Sequence, residues 1–210
     1  VPIIALLHRS GINCDISLGV QGGSLTTVVR DLISAGRDAF YPLTAFLKVF
    51  LGQLNLDKPF NGGIGSYKLY VMVAYLLNCF QSQTLCKPRV DLGYLLVAFL
   101  TYFGKQENLN QYTELKVFGA AVDFRHNGLV VACQKAFQKA CDILKKAVVS
   151  PAQFTSAKER QKMSSSLLAL IIDSQKLQKS RSQYTESTTA ALLQRPPDRE
   201  ARERVATEIL

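Results

Sequence analysis

The stretch 58-KPFNGGIGSYKLYVMVAYLLNCF-80 joins a run of turn-forming residues to a run that is apolar nearly all round. Three glycines and a proline precede Ser66, a composition that is typical of loops. A helix that is apolar on almost every side is normally enclosed by protein. The stretch therefore predicts a glycine-rich loop that leads into a buried central helix.

Helical periodicity continues on both sides of this stretch. A helix capped by Ser24 is predicted over 25–35. A second helix is predicted to start at Pro42, because proline fits the first turn of a helix. Further helices are predicted within 90–105, 133–148 and 164–177.

The N-terminal residues predict a small β element. The run 1-VPIIALLH-8 is apolar and β-branched, and 12-INCDISLGV-20 returns after a short turn. Alternation along the second strand places Cys14 and Ile16 on one face and Asp15 on the other. Weaker β character is present within 114–124. We therefore expect a mainly α fold with a small β element.

The composition excludes several classes of protein. Hydrophobic residues make up 48% of the 210 residues, which is enough for a substantial core and excludes global disorder. The longest apolar runs are too short to span a bilayer, so we expect no membrane partner. The five cysteines form no Cys-x-x-Cys pair, which predicts reduced thiols in an intracellular, reducing compartment and no zinc site.

The net charge of +9 is spread along the chain. Such an excess suits a polyanionic partner, for example RNA or a nucleotide. Many solvated proteins are equally basic, so the charge alone does not select this interpretation.

Taken in order, these segments resemble the non-canonical poly(A) polymerases, the TRAMP-type terminal nucleotidyltransferases of the polymerase-β-like superfamily. The resemblance runs over about 1–173 and rests on the initial strand pair, 48-KVFLGQLNLDKPFNGGIGSY-67, 92-LGYLLVAFLTYFGK-105, 123-DFRHNGLVVACQKAFQKACDIL-144 and 167-LLALIID-173. It implies three parts: 1–20 as the end of a catalytic palm sheet, 21–178 as a helical central domain for nucleotide recognition, and 179–210 as a polar C-terminal extension.

The resemblance gives Asp15 the role of the third acidic residue of a two-metal active site. Phosphoryl transfer through two Mg²⁺ (or Mn²⁺) ions requires clustered carboxylate oxygens. The family carries the first two acids in a Gly-Ser…Asp-x-Asp arrangement, and no Asp-x-Asp occurs in this sequence. We therefore expect a fragment of an enzyme, or a relative without catalysis, that lacks the full metal site. The alternative for Asp15 is an ordinary strand aspartate facing solvent.

Further residues have implied roles in binding a nucleoside triphosphate. Lys48 and Ser66 would contact the triphosphate, Ser66 from the start of a helix, and Tyr67 would stack on the base. Gly62 and Gly63 would permit a positive φ or a close backbone approach to the ligand. The alternatives are a solvated lysine, a glycine turn, a capping serine and a core tyrosine.

Asp123 and Asn127 lie in a segment that is similar to the nucleotide-recognition loop of the family. That loop usually begins Asp-Pro, whereas Phe124 replaces the proline here. Asn127 could alternatively be the first residue of an Asn-Gly turn. Two other departures are Gly65, where relatives often have a second serine, and Leu54, where they commonly have an arginine.

The resemblance implies an enzyme that adds AMP from ATP to RNA 3′ ends. A terminal uridylyltransferase that uses UTP, and an inactive scaffold that binds nucleotide or protein, are the alternatives. The implied partners are an RNA 3′ end, a nucleoside triphosphate and a zinc-knuckle RNA-binding protein. A nuclear location is expected in preference to a cytoplasmic one.

Overall fold

A computed structural model describes residues 3–8, 13–17, 22–83, 91–149 and 166–193. This part of the chain is mainly helical, with two small antiparallel sheets of two strands each. The predicted fold class is therefore confirmed. The chain divides into two compact units, one formed by 1–20 with 174–210 and the other by 21–173.

The first unit contains the predicted strand pair. Strand β1 (Ile3–Leu7) pairs antiparallel with β2 (Asn13–Ser17), and Asp15 is the central residue of β2. Ile4 and Ile16 are paired across the hairpin and are 55% and 45% exposed. Their apolar face is therefore not enclosed by the residues that the structure describes.

The second unit begins with α1 (Gly22–Gln53), one helix of 32 residues. The sequence predicted two helices, a first one capped by Ser24 and a second one starting at Pro42, and this prediction is wrong. Pro42 is exposed in the helix interior, where it cannot donate the usual helical hydrogen bond. Buried apolar residues continue on both sides of the proline: Leu32, Phe40, Leu43, Leu47, Phe50 and Leu51.

The packing of this apolar stripe explains the continuous helix. An interior proline costs about 3 kcal/mol, whereas burying one leucine or phenylalanine side chain contributes about 1.5–3 kcal/mol. The burial of several such side chains requires that the two halves of α1 form one continuous helix. Burial of the stripe therefore outweighs the local preference for a break.

Helix α2 (Ser66–Gln83) is the predicted central helix and packs against α1. Its residues 71–74 are almost completely inaccessible to solvent. Helix α3 (Leu92–Phe103) starts after the Asp91 cap, is followed by Gly104 and lies within the predicted range 90–105. The loop, α2 and α3 therefore match their sequence interpretation.

The residues within 114–124, whose sequence has weak β character, form a second hairpin. Strand β3 (Glu114–Val117) pairs antiparallel with β4 (Ala120–Asp123). Phe118 and Gly119 in the turn both have positive φ, 47° and 78°, as tight hairpin turns require. The hairpin packs against α2, so the chain leaving β4 returns to the central helix.

Helix α4 (Val130–Val149) packs against α3. Phe137 of α4 lies edge-on to Phe99 of α3, with ring centres 5.4 Å apart. Phe137 also stacks with Phe50 of α1 at 6.1 Å. These aromatic contacts join three helices in the core of the second unit.

The predicted helix within 164–177 is divided in the structure. Leu167–Leu170 form a 3₁₀ turn, and a separate helix, α5 (Ser174–Leu193), follows. The Gln53 side chain holds the last residue before α5, because it accepts from Asp173 N at 2.8 Å and donates to Asp173 O at 3.1 Å. Helix α5 belongs to the first unit and runs through residue 178, where the sequence predicts the central domain to end.

No helix among the described residues combines the length and the apolar character that crossing a bilayer requires.

Replacing Pro42 with alanine should raise the free energy of unfolding by up to about 3 kcal/mol, because alanine restores a helical hydrogen bond and has a higher helix propensity. Chemical denaturation of both proteins measures the difference. The exposed neighbour Tyr41, replaced by alanine, is a control that should change stability by less than about 0.5 kcal/mol. Two helices divided at Pro42 would instead give no gain, because proline is favourable in a first turn.

Candidate nucleotide-binding site

The glycine-rich loop that precedes α2 has a fixed backbone. Gly62 N donates to Pro59 O at 2.9 Å. Gly63 N donates to Lys58 O, also at 2.9 Å. Gly62 has a φ of 84°, in the left-handed region that favours glycine. The loop therefore leads into α2 in one defined conformation.

Two glycines in this loop are required by close packing. A Cβ atom on Gly63 would overlap the backbone carbonyl of Leu56, and one on Gly65 would overlap the ring of Pro59. The family often has serine at the position of Gly65. In this structure the Pro59 ring leaves no room for that side chain.

Ser66 and Tyr67 open helix α2. Ser66 is exposed, and Tyr67 is half-buried against the core. Leu69 N donates the first helical hydrogen bond, to Gly65 O at 3.1 Å. The amides of 66–68 therefore precede the helical ladder, at the positive end of the helix dipole. An exposed hydroxyl beside such amides suits an anion.

Asn127 connects the glycine loop to the loop 123–129. Its side chain is 6% exposed. The amide Nδ2 donates to Gly63 O at 2.5 Å, and Oδ1 accepts from Lys68 Nζ at 2.6 Å. The backbone adds a second link, because Leu129 N donates to Gly62 O at 3.0 Å. Asn127 is therefore a buried bridge between two segments as well as part of a turn.

Lys68 is the residue that the sequence interpretation missed. Its Nζ also donates to Asp123 O at 2.5 Å and lies 5.4 Å from the centre of the Phe124 ring, within the range of cation–π contacts. Partial burial lowers the pKa of Lys68, and the negative charge of Asp123 opposes that shift. The available signal was a lysine in an otherwise apolar helix, since a buried charge requires partners.

The backbone carbonyl and the side-chain carboxylate of Asp123 have different hydrogen-bond partners. Its backbone carbonyl accepts from Lys68, whereas its carboxylate accepts from Arg125 N and Arg125 Nη2, both at 3.1 Å. These bonds hold the pKa of the Asp123 carboxyl below its ordinary value. The structure thus places Asp123 beside α2 with its carboxylate engaged by its own loop.

Phe124 stands where the family usually has proline. Its side chain is completely buried and lies beneath the ammonium group of Lys68. An aromatic ring fills core volume that a proline would not and offers a π face to the cation. This departure therefore fits the local packing.

Lys48 and Leu54 are exposed, on α1 and just after its end. No hydrogen bond or ion pair joins Lys48 to another described residue. Asp15 belongs to the other compact unit, and the structure describes only its backbone.

The structure brings six of the eight predicted site residues together, around the start of α2. They are Gly62, Gly63, Ser66, Tyr67, Asp123 and Asn127. This grouping, with Lys68 at its centre, is called the α2 junction below. It combines a rigid loop, an exposed hydroxyl at a helix N-terminus, which suits an anion, and a half-buried aromatic ring that packs against the core.

A Mg²⁺ ion requires several oxygen ligands. Within the described ranges, no three His, Cys, Asp or Glu side chains come together in a way that could hold a metal. The described residues on their own therefore do not fit the metal site that the family resemblance implies.

Comparison with known proteins identifies relatives in sequence. The chain is 33% identical over 117 residues to Poly(A) RNA polymerase CID14 of Cryptococcus neoformans var. neoformans serotype D. It is 31% identical over 121 residues to Poly(A) RNA polymerase gld-4 of Caenorhabditis elegans and 31% identical over 109 residues to Poly(A) RNA polymerase cid14 of Schizosaccharomyces pombe. No protein-family model matches the chain.

These matches cover 52%, 53% and 50% of this chain but only 15%, 14% and 16% of the three relatives. The chain thus spans a small part of the length of the curated relatives that it matches.

A solved structure of the polymerase core of TRAMP, an RNA surveillance complex, matches in fold. The TM-score is 0.57, with 69% of this chain and 55% of that chain covered at 20% identity. At this identity the match shows the fold alone. Together with the sequence relatives, it confirms the predicted resemblance to non-canonical poly(A) polymerases.

Replacing Asn127 with leucine should lower the free energy of unfolding by about 1–3 kcal/mol, because the Gly63 carbonyl and the Lys68 ammonium group lose a buried partner. Asn78, exposed on α2, is the matched control, and Asn78→Leu should have little effect. Adding Lys68→Met should cost less than the sum of the two single changes. Additive losses, or equal losses for both asparagines, would contradict the bridge.

Replacing Gly65 with alanine should destabilise the fold by about 1–3 kcal/mol, the usual range for overpacking. Pro59→Ala in the same chain should recover part of this loss, because it removes the ring that the new Cβ meets. Gly128→Ala is the control, since a Cβ there has no neighbour within 4 Å. A double variant with no recovery would show that Pro59 is not the cause.

Proposed function

We propose that this chain, a relative of the non-canonical poly(A) RNA polymerases, is part of an RNA 3′-terminal nucleotidyltransferase that adds AMP from ATP. The observation that carries the proposal is the α2 junction. The glycine-rich loop and the loop 123–129 are connected through Asn127. This connection lies beside the start of α2, where Ser66 and Tyr67 are located.

In this proposal the start of α2 binds the nucleotide. The Ser66 hydroxyl and the amides of 66–68 would hold the terminal phosphate, at a helix end whose dipole favours negative charge. Tyr67 would stack on the base, an interaction that is tolerant of base identity. Lys48, exposed on α1, would supply a cation toward the triphosphate, the role that the family resemblance implies.

Asn127 and Lys68 would act on the nucleotide indirectly. Both are engaged with protein atoms, so they hold the glycine loop and the loop 123–129 at a fixed separation. A site that is already ordered loses less conformational entropy when its ligand binds. They are therefore positioning residues in this proposal.

Asp15 would provide one carboxylate of the catalytic centre. The reaction implied by the family resemblance uses two Mg²⁺ ions, and Asp15 alone cannot hold them, because the described residues offer no cluster of acidic ligands. The metal, the RNA 3′ end and a zinc-knuckle protein partner are parts of the proposal that rest on the resemblance. So are the nuclear location and the choice of ATP over UTP.

Extension of a labelled RNA by the intact protein, with ATP and UTP in separate and competing reactions, tests the proposal. We expect extension with ATP. Tyr67→Ala should weaken nucleotide binding roughly 5- to 150-fold, since stacking is worth about 1–3 kcal/mol per base, whereas Tyr67→Phe should retain it. Tyr112→Ala is the control, an aromatic that is 83% exposed in the segment before β3.

Asp15→Ala separates catalysis from binding. It should abolish extension while leaving ATP binding measurable, because the carboxylate would hold a metal and not the nucleotide base. Preferential extension with UTP would favour the uridylyltransferase. Nucleotide binding without any extension would favour the inactive scaffold, and unchanged extension by Asp15→Ala would refute the metal role.

A further inference from the structure

Helix α4 has one face in the core and one face in solvent. Its buried residues are Val130, Cys133, Gln134, Phe137, Ala140, Cys141, Leu144 and Ala147. Lys135, Lys139 and Lys146 project from the opposite side, within a sector of about 40° at 3.6 residues per turn. These three lysines are called the α4 basic face below.

The α4 basic face differs from four other exposed cations of the second unit. Each of those pairs with a carboxylate one or two positions away: Lys58 with Asp57 at 3.4 Å, Lys105 with Glu107 at 3.6 Å, Lys116 with Glu114 at 3.2 Å and Arg125 with Asp123 at 3.1 Å. Lys48 on α1 and Lys145 on α4 are exposed and, like the three lysines of the face, are in no ion pair with a described residue. The three α4 lysines form no ion pair with any residue that the structure describes. One acid, Asp142, lies on the same side of the helix, so the face keeps a net positive charge.

The helix also begins at the proposed active site. Val130 follows directly on the loop 123–129, which Leu129 N links to Gly62 O. With a rise of 1.5 Å per residue, the three lysines lie roughly 8, 14 and 24 Å along the helix from Val130. The α4 basic face is thus a row of cations that starts near the α2 junction and leads away from it.

The exposed residues in the middle of α4 are unsuited to an ordinary protein interface. Between 133 and 147 they are Lys135, Gln138, Lys139, Asp142, Lys145 and Lys146. The centre of a protein interface is enriched in aromatic residues and depleted in lysine. A row of lysines without apolar residues matches the regularly spaced phosphates of a nucleic acid strand instead.

We propose that the α4 basic face binds the phosphate backbone of single-stranded RNA behind its 3′ end. This inference rests on the proposed function, since it takes the α2 junction as the place where the 3′ end is extended. The contact is electrostatic and independent of sequence. It would supply RNA affinity within the chain itself, in addition to any RNA-binding partner.

The salt dependence of RNA binding tests this proposal. The probe is a labelled single-stranded oligoadenylate, titrated with the intact protein at several salt concentrations without nucleotide. Each phosphate contact on a single strand contributes about 0.7 to the slope of log affinity against log salt. Replacing Lys135, Lys139 and Lys146 with glutamine should therefore reduce the slope by about 2.

A charge-matched variant provides the control. Glutamine at Lys116, Lys179 and Arg181, all exposed, removes the same charge from other surfaces and should leave the slope nearly unchanged. Both variants change solvent-facing residues and should unfold at the temperature of the parent protein. Equal slopes for the parent and the α4 variant, or equal losses in both variants, would overturn the proposal.

Two further measurements separate this inference from the proposed function. Polyglutamate that displaces the RNA as well as an equal charge of oligoadenylate would show a general site for acidic chains and overturn RNA as the occupant. ATP-dependent extension, measured on the same variants, reports on the α2 junction. If the α4 variant extends RNA and its salt slope is unchanged, only RNA binding by the α4 basic face is refuted. If its slope is reduced but neither protein extends RNA, RNA binding by the face is supported and only the polymerase activity is refuted.

Discussion

The buried amide of Asn127 is the interaction on which the α2 junction depends. A carbonyl oxygen only accepts hydrogen bonds and an ammonium group only donates them, so a bridge between the two must both donate and accept. The amide of Asn127 does this, with Nδ2 toward Gly63 O and Oδ1 toward Lys68 Nζ. One side chain thereby joins the loop before α2, the first turn of α2 and the loop before α4.

Local packing accommodates two of the departures from the family pattern. Gly65 removes a hydroxyl, but it allows Pro59 to pack against the loop. Phe124 fills the core and places its ring beneath Lys68. Both changes alter side chains while leaving the helix N-terminus in place. Leu54, where the resemblance implies an arginine, is different, because its exposed side chain offers no positive charge.

The sequence predicted those elements for which local preference and packing agree. The glycine loop and α2 have turn formers followed by a long apolar run, so both signals favour the same boundary near Ser66. At Pro42 the two signals disagree: the local preference is for a helix start, and the buried stripe of α1 requires continuity. The division near Asp173 depends on Gln53, which is 120 residues away in the sequence, and no local pattern records such a contact.

The residues of the candidate site could likewise be predicted from the sequence only in part. The family resemblance pointed to Gly62, Gly63, Ser66, Tyr67 and Asn127, and the chemistry of a glycine-rich loop before a helix start agrees with the first four of these residues. Lys68 was missed, because a lysine in the first turn of a helix usually faces solvent. Its importance comes from Asp123 O and Asn127 Oδ1, which occur 55 and 59 residues later.

The contacts of Lys68 also define what the junction can offer a triphosphate. An ammonium group has three donors, and two of them are engaged by Asp123 O and Asn127 Oδ1. Burial further disfavours the charged form of this lysine and lowers its pKa. Lys68 therefore stabilises the protein at the expense of its capacity as a phosphate ligand. In the proposed function, the positive charge that attracts a nucleotide would therefore come from the start of α2, while Lys68 and Asn127 keep the buried side of the junction rigid.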